Sequence, residues 1–369
     1  MNCTEANPES DGLNTPKTRD TLLQNLKGEI VHLPSLKSIF HDWRGITTEH
    51  VNPRLQTLRQ RVTKRLMSLH FSSEKQGNLE AADFALFTAL WWPNAQLEQL
   101  EILAYLVIWL FTWDDEIDEP DGFYTEDYNG AQSYRESTLH FVGACLGLFP
   151  KDSSRLPLNH IIQSFDVIGS SFRSSYDLKQ RQRFYYEVSQ FMSASRVEQK
   201  YRLAGRLPTL AEYWSFRLGT SAVYVGTASA EFSLSIRLPL PITSSRSMVE
   251  LWKHTNIIIS VTNDLLSMRK EVKRGCIESS VPLAFALSGH MGSAISHSIQ
   301  ILREAKEGFE QAAIALMEES HELGCSDEVQ EFIDVHKSNC VGNLVWSLKT
   351  KRYDMVESTN ADGSHTFSL

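Results

Sequence analysis

Three carboxylates crowd together at Asp114, Asp115 and Asp118, in the stretch WDDEID. On a helix Asp114 and Asp118 lie one turn apart on one face, with Asp115 about 100° around from Asp114. Acids this close repel one another unless a hard cation joins them, and magnesium, which takes oxygen ligands, suits them best. Alone, the triplet reads more readily as a helix end meeting water, because surface acid clusters are common. A second set is Asn263, Ser267 and Glu271 in NDLLSMRKE. Its spacing of i, i+4, i+8 points an amide oxygen, a hydroxyl and a carboxylate the same way from one helix, a second all-oxygen magnesium set. An ordinary polar helix face is the alternative, although the apolar NIIISV just before it favours a cavity rim. Lys270 is placed to meet an anion held by such a metal. The third set is basic: Arg217, among Tyr213, Trp214 and Phe216, and the Arg352-Tyr353 pair. Guanidinium forks match phosphate oxygens better than ammonium groups do. Singly, each of these arginines is more often a packed surface residue.

The elements that must position these residues are helical throughout. Ile102–Trp113 is an almost unbroken apolar run leading into the aspartates, closed by Pro120-Asp121-Gly122. Before it, PRLQTLRQRVTKRLMSLHF is amphipathic at helical spacing, its basic side expected to be a solvated face. ADFALFTALWW follows as a buried helix. Further helical patterns cover about 129–148, 157–178 and 180–201. TLAEYWSFRLGTSAVYVGTASAEF is expected to be a helix interrupted at Gly219-Thr220-Ser221. A long helix spans about 245–273, and three more follow, the last from about Asp327 to Tyr353. No alternating strand pattern and no internal repeat is found. The expectation is an all-α fold, one helical bundle around an apolar central pocket. Residues 1–20 are expected to be a disordered N-terminal tail, 21–355 a single domain, and 356–369 a polar C-terminal tail.

Composition narrows the function. The net charge is −9 over 369 residues, which argues against nucleic acid as a partner. It leaves room for an anionic ligand bridged by metal. Five scattered cysteines without a Cys-x-x-Cys pair speak against a zinc site or disulfide framework and for a reducing, cytoplasmic setting. The polar N-terminus lacks an apolar signal core, and the run before Asp114 is too short to span a bilayer. His41-Asp42 lacks the companion histidines of a metal-dependent hydrolase. Most of the aromatics, Phe84, Phe87, Trp109, Phe111, Trp113, Tyr224 and Trp346 among them, are expected in the core, with Trp109–Trp113 in a pocket wall. Those facing a pocket would stabilise a carbocation.

Taken together, these motifs resemble the three signatures of class I terpene synthases of the microbial single-domain type. Arg217 precedes Asn263 by 46 residues (263 − 217 = 46), the separation of that family's diphosphate-sensing arginine. The resemblance covers about residues 80–355. It implies a terpene cyclase that ionises a linear prenyl diphosphate, farnesyl diphosphate above all, and releases a sesquiterpene and diphosphate. It implies three magnesium ions on Asp114, Asp115, Asp118, Asn263, Ser267 and Glu271, and diphosphate contacts from Arg217, Lys270, Arg352 and Tyr353. By position Thr220 and Ser221 would be the linker and effector at the helix break, and Phe111 and Trp346 would line the pocket. The resemblance is also compatible with a homodimer. A diterpene synthase using geranylgeranyl diphosphate, a chain-elongating prenyltransferase, and a non-catalytic helical prenyl-diphosphate-binding protein remain the alternatives. The Asn/Ser/Glu set argues against the second, because chain-elongating enzymes resemble a pair of Asp-Asp-x-x-Asp motifs. The complete metal set argues against the third.

Overall fold

The structure, a computed structural model, describes residues 18–46, 50–150, 157 and 159–369. The proposed disordered tail lies outside these residues as far as residue 17, and the described chain opens with helix α1, Arg19–Leu26. The helices in order are α2 Leu55–Ser68, α3 Ser73–Ala82, α4 Phe84–Trp91, α5 Leu97–Asp118, α6 Tyr128–Cys145, α7 His160–Gln163, α8 Asp166–Ser175, α9 Leu178–Leu203, α10 Leu210–Thr220, α11 Val223–Thr227, α12 Ala230–Leu234, α13 Leu240–Thr243, α14 Arg246–Arg274, α15 Ser280–Ser288, α16 Met291–Leu323 and α17 Ser326–Lys349.

Local chemistry sets the boundaries that matter. Every residue of α4 except Leu86 is buried, and Pro93 follows shortly after its end. α5 stops where Glu119 turns extended, at ψ 146°, ahead of Pro120, which disfavours the helical conformation in the residue before it. α9 and α10 each begin with a reciprocal capping box, Asp177 with Gln180 and Thr209 with Glu212. α14 starts on the Ser245 cap and ends on Gly275 at φ +77°, a conformation glycine adopts freely. The expected interruption near Gly219 is real. α10 ends at Thr220, and Ala222 takes a left-handed φ of +55° before the chain resumes as α11.

α4, α17, α14, α10, α9 and α5 stand around a central cavity, and α16 packs on the outer side of α14. Three expectations need correction. The segment 356–369 is not a free tail. Residues His365–Ser368 form strand β2, antiparallel to β1 (Ile30–Leu33), with Val31 opposite Phe367 and Leu33 opposite His365. All four of these facing residues are buried, so an alternation of only four residues closes the two ends of the fold together. The basic side of α2 is not simply solvated: Arg59 pairs with Asp83, Arg61 with Glu101, and Arg65 donates to the Ser164 carbonyl. Trp109 and Trp113 do not belong to the pocket wall. They sit on the outer side of α5, Trp109 against Phe165 and Trp113 against Tyr134 and Phe191, while Leu106, Val107, Leu110 and Phe111 face the cavity. No described helix is long and apolar enough to cross a membrane.

Candidate active site

The cavity has two ends of opposite character. Its deep end is walled by Phe87, Trp91, Leu106, Phe111, Ile259 and Trp346. Phe111 and Trp346 lie 6.0 Å apart between ring centres, and Phe87 meets Trp346 edge-on at 5.0 Å. Trp346 is fixed by its indole N–H, which donates to the Ala82 carbonyl at 2.7 Å. Both aromatic positions expected to line the pocket do so.

The mouth is where charge gathers. The aspartates end α5 at the negative pole of its dipole, an unfavourable place for acids unless cations offset it. Arg352 reaches Asp115 at 3.2 Å, and Arg202 on α9 reaches Asp118 at 2.5 Å. Asp114 makes no hydrogen bond or ion pair with the described residues and faces the cavity. Burial pushes its pKa well above the usual range, and Asp118, Glu198 and Asp115 add to this against the pull of Arg217.

Opposite, α14 presents the second set. The Asn263 oxygen accepts from Arg217 at 2.9 Å, and its amide N–H donates to the Tyr353 hydroxyl at 2.8 Å. The Ser267 hydroxyl lies 2.6 Å from Glu271 and 2.7 Å from the Asn263 carbonyl, and donates to one or the other. Burial, aided by Asp264, raises Glu271 to about 7 despite Ser267, Arg217 and Lys270. Ser267 itself stands behind Glu271 rather than on the cavity surface. Arg217 is locked by a 2.8 Å pair with Asp264, whose other oxygen accepts from the Tyr213 hydroxyl at 2.6 Å. Burial works against the charge of Arg217, but Tyr213, Asp264, Glu198 and Glu271 hold it protonated. The Nε atoms of Arg217 and Arg352 are buried without a partner. At the break, the Ser221 hydroxyl donates to Asn256 at 2.8 Å.

Arg202 and three acids escaped the sequence reading. Asp264, beside Asn263, is the anchor of Arg217. Glu119, immediately after Asp118, is gripped by Lys270 at 2.6 Å, by Arg274, and by Arg352 at 3.5 Å. Burial would raise Glu119, yet Lys270, Arg352 and Arg274 outweigh it and hold the carboxyl at about 2. Glu198 on α9 lines the cavity, raised to about 8 by burial and by Asp118. For Asp264 and Glu119 the signal was adjacency to a motif, and Glu198 carried none. Arg352 and Tyr353 were expected to end the last helix. α17 stops at Lys349 because Thr350 turns extended, and the pair swings into the cavity from the following turn.

Among the described residues no three of His, Cys, Asp and Glu gather into a metal-ligating cluster. Asp115 and Asp118 are turned to arginines, which leaves Asp114 on one side and Asn263 and Glu271, with Ser267 behind them, on the other. That all-oxygen donor set, with carboxyls whose charge burial suppresses, fits a hard dication that would restore it.

The helical bundle is shared with enzymes of known structure. The linalool/nerolidol synthase of Streptomyces clavuligerus matches at a TM-score of 0.68 and 17% identity over 80% of this chain and 96% of its own. An α-eudesmol synthase matches at 0.70 and 17% over 81% and 96%. The fold is therefore that of the class I terpene synthases. In sequence, residues 105–322 match the model of terpene synthase family 2, C-terminal metal binding. The sesquiterpene cyclase of Aspergillus oryzae is 34% identical over 92% of this chain and 94% of its own length. A terpene cyclase of Annulohypoxylon truncatum is 24% identical over 91% and 89%. The chain belongs to the terpene synthase family and is a class I terpene cyclase.

Proposed function

We propose that the enzyme ionises farnesyl diphosphate with the help of magnesium and cyclises the resulting cation to a sesquiterpene. The observation that carries this reading is the polarity of one cavity: aromatic and aliphatic at its deep end, with Asp114 facing Asn263 and Glu271 across a mouth that also holds Arg217, Lys270 and Arg352. The relative of 34% identity is named a sesquiterpene cyclase, and the linalool/nerolidol synthase has been solved with 2-fluorogeranyl diphosphate. A cavity of about 260 Å³, below the roughly 300–1,000 Å³ usual for small-molecule sites, favours the C15 chain over C20.

Asp114, Asn263, Ser267 and Glu271 would hold the metal, with Asp115 and Asp118 supporting from behind. When bound, magnesium neutralises the charge that builds on the departing diphosphate. The chain's own part begins with the unpartnered Nε donors of Arg217 and Arg352, which meet diphosphate oxygens at no cost in new desolvation. Lys270 exchanges Glu119 for the anion, and Tyr353 orients Asn263. Ser221 ties the α10–α11 break to Asn256, so movement of Arg217 is passed to the pocket wall. Phe111 and Trp346 turn their π faces toward the allylic cation, and the closed wall keeps water away from it.

Incubation with farnesyl diphosphate should give diphosphate and a cyclic C15 hydrocarbon or alcohol in magnesium, and neither product in a chelator. Geranylgeranyl diphosphate and an isopentenyl diphosphate co-substrate complete the comparison. A longer prenyl diphosphate as product would sink the cyclase reading at this level. Asn263→Ala combined with Ser267→Ala should abolish diphosphate release, and unchanged release would remove the metal assignment.

A further inference from the structure

One polar side chain interrupts the hydrocarbon end of the cavity. Asn339, Asn343 and Ser347 follow one another at i, i+4, i+8 along α17, all buried. The Asn339 amide donates to the Trp91 carbonyl at 2.8 Å, which ties this face of α17 to α4. Ser347 is shielded from the cavity. Asn343 alone of the three borders it, 4% exposed, and its Nδ2 is cut off from water without a partner. Its carboxamide forms no hydrogen bond with the described residues. The same cavity is lined by Trp91, Val223, Ile259 and Trp346, and Gly226 leaves so little room beside Trp91 that a methyl there would meet the indole at 3.0 Å.

A buried amide without partners is costly and rare, and in a hydrocarbon wall a leucine of similar size would fill the same space without that cost. Asn339 and Ser347 also carry an unpartnered atom, and what sets Asn343 apart is that it borders the cavity, where its dipole has a use. We infer that Asn343 is a specificity-determining residue of the cyclisation: its carboxamide fixes where positive charge rests on the folded chain, and so which ring system is released. This rests on the cyclase reading of the same cavity and adds a residue that none of the metal or diphosphate motifs includes.

The chemistry of the group fits that role better than its neighbours' chemistry does. The π faces of Phe111 and Trp346 already serve the first cation. The aliphatic lining beside them has no preference among positions of charge. An amide oxygen attracts positive charge strongly where the dielectric is low. The amide is also a poor base and a poor nucleophile, so it holds a cation without taking its proton or bonding to it. A carboxylate or imidazole at this position would end the cascade at once.

The test compares two variants, Asn343→Leu and Asn343→Gln, by diphosphate release, thermal melting and product analysis from farnesyl diphosphate. Asn343→Leu should melt with the wild type and release diphosphate at a similar rate. Its main cyclic product should fall about tenfold relative to acyclic and monocyclic ones, the ratio given by ~1.4 kcal/mol of lost preference. Asn343→Gln, which keeps the carboxamide there, should retain the wild-type main product. An unchanged product spectrum in Asn343→Leu overturns the inference. The same altered spectrum in both variants also overturns it, because shape rather than polarity would then be acting. So does a product oxygen drawn from ¹⁸O-labelled water and lost in Asn343→Leu, which would make Asn343 a water holder. If Asn343→Leu fails to fold, Asn343→Ala against Asn343→Ser asks the same question. A wild type that releases no diphosphate overturns the cyclase reading itself, and that failure is seen before any products are compared.

Discussion

Arg202 donates to the carboxylate of Asp118 at 2.5 Å, and this bond from α9 gives the third aspartate a fixed partner at the cavity rim. With Asp115 turned to Arg352, the acid-rich motif is divided into one open carboxylate, Asp114, and two that brace the mouth.

The three acids should therefore differ in kinetics. Asp114→Asn should lower kcat by about 10³-fold, as loss of a principal charge-stabilising contact does. Asp118→Asn should cost only about tenfold, together with a lower melting temperature as Arg202 loses its partner. Steady-state diphosphate release across a magnesium titration gives both numbers. Equal losses for the two variants would return Asp118 to the metal.

Arg217 and Asp264 form a buried pair, and breaking one side of such a pair strands the other charge at a cost of about 3–5 kcal/mol. Arg217→Gln should accordingly lose both turnover and stability in urea denaturation. Adding Asp264→Asn should return much of the stability and none of the activity. A single variant as stable as the wild type would mean that Asp264 is held by Tyr213 and Ser280 alone.

The mouth was more legible in the sequence than the rest of the site because its residues act through helical spacing. Asn263, Ser267 and Glu271 follow the period of α14, and Arg217 reaches them from the last turn of α10 through its bonds to Asn263 and Asp264. Glu119 and Asp264 adjoin those motifs, but their partners, Arg274 and Tyr213, come from elements brought together only by folding. Trp109 and Trp113 were misplaced because the apolar run of α5 is buried on every side, and uniform burial erases the face that periodicity would mark. The β1–β2 pair was hidden for a different reason: four residues of alternation gain a partner more than 300 positions away. Asn343 gave no signal, since an unpartnered amide is a fact about surroundings and not about spacing.

Glu119 acts as a resident counter-ion for Lys270, Arg274 and Arg352. Glu119→Gln should free these cations and tighten binding of inorganic diphosphate by roughly three- to tenfold, up to ~1.4 kcal/mol. Isothermal titration in magnesium measures it, and the gain should shrink as salt screens the exposed part of the cluster. Weaker binding in the variant would show that Glu119 positions the cations rather than competing for them.

His336 sets an acid limit on stability. It is fully buried against Phe332 and Trp252, and burial pulls its pKa down to about 4 although the Phe332 carbonyl favours the protonated ring. The unfolded chain, with an ordinary histidine near ~6.5, takes up this proton first. Between those two values the unfolded state holds more protons, so stability falls as pH falls, by about 2 kcal/mol at pH 5 from this group. Above pH 7 the residue contributes no slope. His336→Gln keeps an N–H donor for the Phe332 carbonyl but cannot titrate. Urea denaturation of the two proteins between pH 7.5 and 5 should show the wild type losing stability faster, with the difference confined to the region below about pH 6.5. Parallel curves would assign the acid sensitivity to other groups.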